Sequence, residues 1–108
     1  MNDTRISTGN ILANLADHGE LILHAMRPGM DPGLGVVVWV GNWVAIGTWI
    51  VNGLLGQDRA AQFESSLKYR GKTSEAHPLP EGIPESLVDY WHSVAWRIDQ
   101  LREWANQS

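Results

Sequence analysis

The sequence predicts a mainly α protein: an amphipathic N-terminal helix, one central transmembrane helix and a C-terminal amphipathic helix. Three observations carry that expectation. Apolar residues recur at helical spacing near both ends of the chain. Between those ends, the stretch from Pro32 to Gln57 holds no charged side chain and reaches the roughly 20 residues that a bilayer-spanning helix needs. Pro- and Gly-bearing segments separate the three patterns, as helix boundaries require. The chain divides accordingly into residues 1–33, an N-terminal helix and turn, and 34–57, the apolar segment. Residues 58–84 form a short helix and linker, and 85–108 a Trp-rich C-terminal helix.

The 108 residues suffice for one compact domain. A net charge of -4 offers no clustered basic footprint, so no nucleic-acid partner is expected. The absence of Cys excludes disulfide scaffolds, Cys-based zinc sites and thiol nucleophiles. Six Trp against one Phe is unusual for this length.

The first helix is predicted from Asn10 to Met26. Asn10 is a suitable N-cap, and Arg27-Pro28-Gly29 is a stop. Ile11, Leu12, Leu15, Ile22, Leu23 and Met26 share a face, while Gly9 and Gly19 weaken the helix in isolation.

In the apolar segment a helical wheel separates two faces. One collects Val36, Val40, Trp43, Val44, Gly47, Ile50, Val51 and Leu54, and is expected to meet membrane lipid. The other collects Gly41, Asn42, Ala45, Thr48, Trp49 and Asn52 and is expected to pack against other helices. Small residues there allow close approach, and unpaired amides facing hydrocarbon would be costly. On this reading Asn42→Leu and Asn52→Leu weaken association, whereas Val40→Leu and Val44→Leu are silent. Two other conformations fit part of the pattern. A β-hairpin with a Gly41-Asn42 turn would make the protein a soluble α+β interaction module. Leu34-Gly35, Val40-Gly41 and Ile46-Gly47 also recur every six residues, a spacing that resembles the hexapeptide repeat of certain acyltransferases. Three repeats make only about one coil, and a single coil has no neighbour to stack on.

After the segment, Ala60, Phe63 and Leu67 keep a helical stripe between Asp58 and Tyr69, and residues 71–84 read as a linker. The last helix is predicted to start near Pro84 or Ser86, with Asp89 closing a capping box if Ser86 caps. Leu87, Trp91, Val94, Ile98, Leu101 and Ala105 alternate by four and three, forming a second docking element, and Trp96 and Trp104 widen its apolar face. In the 20 residues before Gly35 there is one basic residue, Arg27, whereas the 20 after Leu55 hold four: Arg59, Lys68, Arg70 and Lys72. The positive-inside rule therefore places the C-terminus in the cytoplasm.

Little in the chain points to chemistry. Asp17, Glu20 and His24, and again Glu85, Asp89 and His92, are helically spaced acids and histidines. Neither set contains the Glu-x-x-His pair that helix-bundle metal sites use, so no metal or other cofactor is expected. No nucleophile elbow, phosphate-binding Gly loop or zinc-protease motif occurs. The expected function is non-catalytic: a single-pass accessory subunit of a membrane complex, contacting lipid and either other subunits or copies of itself. A self-associating, holin-like lesion former is the alternative within the membrane class.

Overall fold

The computed structural model describes residues 7–27, 33–65 and 74–107. Its elements are α1 (Thr8–Ala25), α2 (Gly33–Leu55), α3 (Gln57–Glu64) and α4 (Val88–Gln107), the last entered through a 3-10 turn at Glu85–Leu87. No strand occurs among the described residues. The hairpin alternative therefore falls. Gly41 and Asn42 lie inside α2, and the positive φ angles belong to Gly56 and Gly82 instead. The uninterrupted helix satisfies every interior backbone group locally, which a lone hairpin does not.

The cap of α1 lies three residues earlier than its sequence suggests, at Ser7 rather than Asn10. The Ser7 hydroxyl accepts the Asn10 backbone N–H at 3.1 Å. α1 and α2 run antiparallel along one another. Ile11 lines a cleft with Trp49 and Leu54, the Trp43 indole donates to the Leu15 carbonyl at 3.0 Å, and Trp39 donates to His18 Nε2 at 3.0 Å. α4 packs antiparallel on the other flank of α1. Arg102 bonds Asp17 at 3.0 Å at one end, and Arg27 sits over the Trp91 ring at the other.

Gly19 lies where all three long helices meet. A Cβ there would come within 2.7 Å of both Ile98 and Trp43. The residue that weakens α1 in isolation is the one that lets α2 and α4 close on it. Gly56, at φ 97° and ψ 173°, turns α3 back along α2 with a backbone that side-chain-bearing residues rarely adopt. The Phe63 ring then lies on Gly47, where a Cβ would be 2.7 Å from it. α3 ends at Glu64, short of Leu67, which lies outside the described residues together with Lys68, Arg70 and Lys72.

One continuous core results. Leu12, Ile22 and Met26 of α1, Val36, Val40, Trp43 and Val51 of α2, Phe63, and Trp91, Val94, Ile98, Leu101 and Trp104 of α4 are buried together. The start of α4 follows the Pro84 option. Leu87 N–H bonds the Pro84 carbonyl at 2.8 Å, and Ser86 lies inside the 3-10 turn rather than at a cap.

Candidate functional site

The two faces of α2 have separate fates. The aliphatic face expected to meet lipid is turned inward: Val36, Val40, Trp43, Gly47 and Val51 are buried against the rest of the chain. Val40→Leu is accordingly a core substitution and not a silent one. The opposite face is open. Gly41, Asn42, Ala45, Trp49 and Asn52 are exposed, joined by Gly35, Val38, Ile46 and Gly53. Trp49 is 78% exposed, the most of any large hydrophobic side chain among the described residues. Thr48 is half-buried, and its hydroxyl donates to the Val44 carbonyl at 2.7 Å, a bond that satisfies it within its own helix. Asn42 and Asn52 present their amides outward.

Shallow clefts flank this face. One lies against α3 and is lined by Ala45, Thr48, Trp49, Asn52, Ala61 and Glu64; the other lies against α1 and is lined by His18, Trp39, Asn42 and Ile46. The stripe is thus a ridge with a trough on either side, a shape suited to ridge-into-groove contact with another helix. Its surface carries no charge from Gly35 to Gln57.

The second expected docking element is used within the chain. Leu87, Trp91, Val94, Ile98 and Leu101 are all buried, as is Trp104; Ala105 and Trp96 are half-buried. The seam meets α1 rather than an outside partner. Trp43 and Trp91 bond backbone carbonyls, Trp39 bonds His18, Trp104 lies under Arg59 and Trp96 is half-buried, whereas Trp49 stands open.

Two polar arrangements were not legible in the sequence. Arg97, 3% exposed, donates Nε–H to the Phe63 carbonyl at 2.7 Å and Nη2–H to the Glu64 carbonyl at 2.8 Å, and also bonds Ser93. A buried guanidinium thereby caps the C-terminal carbonyls of α3, where the helix dipole favours a cation. The second arrangement joins α1, α4 and the linker. His77 sits between two carboxylates, Nε2 at 2.9 Å from Glu20 and Nδ1 at 3.1 Å from Asp99. The Ser74 hydroxyl donates to Asp99 at 2.5 Å and accepts the His77 backbone N–H at 3.1 Å.

A serine, a histidine and a carboxylate in contact invite comparison with a nucleophilic triad, but the geometry is a strut. The Ser74 proton is directed at Asp99, and His77 Nδ1, 3.3 Å from the Ser74 oxygen, lies closer to Asp99 at 3.1 Å, so the ring braces the carboxylate rather than the hydroxyl. The acid and histidine sets are not drawn together either. Asp17 bonds Arg102, Glu20 bonds Arg102 and His77, His24, Glu85 and Asp89 are exposed, and His92 is half-buried. Among the described residues no cluster of three such side chains is placed to hold a metal ion.

Burial raises the Glu20 carboxyl, but its hydrogen bonds with His77 and Arg102 and their charges outweigh burial and hold it below its ordinary 4.5. A depressed carboxyl contributes stability above its unfolded value and loses it as pH falls through the folded one. Wild type should therefore lose thermal stability on acidification below about pH 4.5 more steeply than Glu20→Gln. Melting midpoints across that range check this, and parallel profiles would refute it.

No protein-family model matches the chain, and neither the curated proteins nor the solved structures contain a match.

Proposed function

We propose that this protein is a non-catalytic assembly subunit that docks onto a helical partner through the open face of α2. The observation carrying the reading is the exposure of Trp49, amid Asn42, Ala45 and Asn52, on a charge-free helix whose other face is already filled by the chain's own core. Exposed apolar patches of this kind mark interaction sites. Large aromatic side chains, moreover, carry a disproportionate share of interface energy. Trp49→Asp leaves the core untouched and should shrink the native complex in cell extracts by gel filtration. An unchanged complex size, with the variant folded by circular dichroism, would rule the reading out.

A second reading is favoured by one specific feature. Gly35–Leu55 is 21 residues long and apolar enough to cross a membrane, with only 28% of its most apolar window buried inside the chain. The protein would then be a single-pass accessory subunit with a cytoplasmic C-terminus. That state competes with the helical packing described above. His18 and Leu15 touch Trp39 and Trp43 at mid-α2, so spanning a bilayer as packed would carry Asp17 and Glu20 towards its centre. Each charge there costs about 3 kcal/mol on insertion scales. Insertion therefore requires α2 to part from α1. A carbonate wash separates the readings: retention in the pellet supports the span, and a detergent-free, monodisperse protein defeats it. Membrane leakage on expression alone would mark a holin-like lesion former.

A further inference from the structure

We infer that the open face of α2 receives a second copy of itself, running antiparallel. This inference rests on the docking role proposed above and names the partner. Gly35, Val38, Asn42, Ala45, Trp49 and Asn52 follow each other at intervals of three, four, three, four and three, the spacing of a two-helix seam. In an antiparallel pair with its twofold axis between Asn42 and Ala45, the layers are Asn42 with Ala45, Val38 with Trp49 and Gly35 with Asn52. Every layer places a larger side chain against a smaller one. Gly41, at the edge, comes opposite Ile46 by the same symmetry. A Cβ at Gly35 or Gly41 would meet nothing within 4 Å, so this room is vacant in the single chain. A parallel pair in register would instead stack Trp49 on Trp49 and Gly35 on Gly35, overpacking one layer and leaving another empty.

Charge and polarity agree with that occupant. α2 brings no charge of its own to the seam, so two copies meet as uncharged ridges, with Glu64 in the α3 trough beside them. The two Asn42 side chains flank the twofold axis, about 4.5 Å apart along the helix direction, within reach of one another. A hydrocarbon surface would leave both Asn42 and Asn52 amides unpaired. The antiparallel homodimer seam is thus centred between Asn42 and Ala45. One helix stripe is smaller than a standard interface, so association is concentration-dependent.

The test uses the purified full-length chain. Because it has no native Cys, Gln57→Cys accepts a single spin label just beyond the end of α2, off the seam. At about 100 μM, where a dimer with a Kd of about 10 μM is mostly formed, sedimentation should report a dimer. The label-to-label distance should be roughly 40 Å, against less than about 25 Å for a parallel pair. Ala45→Arg, at an exposed position that leaves the monomer folded, should weaken the dimer at least about tenfold through like charges at the axis. A monomer at this concentration, or the short distance, overturns the inference. If the chain is monomeric while Trp49→Asp still shrinks the native complex, the docking role stands and its partner is a different protein.

Discussion

Replacing Arg97 with methionine should destabilise the fold by about 3 kcal/mol, the largest loss expected from a single polar position. The side chain is 3% exposed and its guanidinium spans the Phe63 and Glu64 carbonyls, so methionine fills the volume but leaves buried acceptors without donors. α3 would lose its tie to α4, and the Phe63 ring, 5.6 Å beneath the guanidinium carbon and packed edge-on to Trp43, would lose its support. Lysine should recover only a fraction of the loss, because a single ammonium on a flexible stem does not reproduce the planar fork. Urea unfolding midpoints measure both variants. If Arg97→Met unfolds with wild type, the capping account of the guanidinium is wrong.

Glycine-to-alanine changes should divide by position, against the ordinary rule that alanine stabilises helices. Gly19→Ala should destabilise by up to about 2 kcal/mol. Alanine gains about 1 kcal/mol of helix propensity, but its Cβ would press on Ile98 and Trp43, both buried, and overpacking costs about 1–3 kcal/mol. Gly47→Ala, whose Cβ would meet the Phe63 ring, should behave in the same way. Gly41→Ala and Gly53→Ala have nothing within 4 Å of the new atom and should stabilise the single chain by up to about 1 kcal/mol. Thermal melts of the four variants provide the comparison. A stabilised Gly19→Ala would show that the three-helix junction is looser than its contacts indicate.

Those glycines show how far periodicity reads and where it stops. The apolar stripes of α1 and α4 are legible because each helix needs only its own residues to display them, and the buried positions Leu12, Leu15, Ile22, Trp91, Val94, Ile98 and Leu101 follow the pattern. Gly19 is different. Its value lies in Ile98 and Trp43, distant in sequence, and nothing local distinguishes it from a helix weakener. Arg97 and His77 are illegible for the same reason: their partners at Phe63, Glu64, Glu20 and Asp99 come from other elements.

The candidate docking face was divided between the two levels. The sequence alone determined that α2 has one aliphatic side and one side of Gly, Asn, Ala and Trp, because a helix of 3.6 residues per turn sorts its residues without outside help. Only the tertiary structure decided which side turns inward. Both sides are uncharged, and burial in protein and burial in lipid reward the same aliphatic side chains, so hydropathy contains no term that tells them apart. What tipped the choice was shape. Gly47 admits the Phe63 ring, and Trp43 reaches the Leu15 carbonyl, contacts that only the aliphatic side can make. Asn42, Ala45, Trp49 and Asn52 were thereby left facing outward.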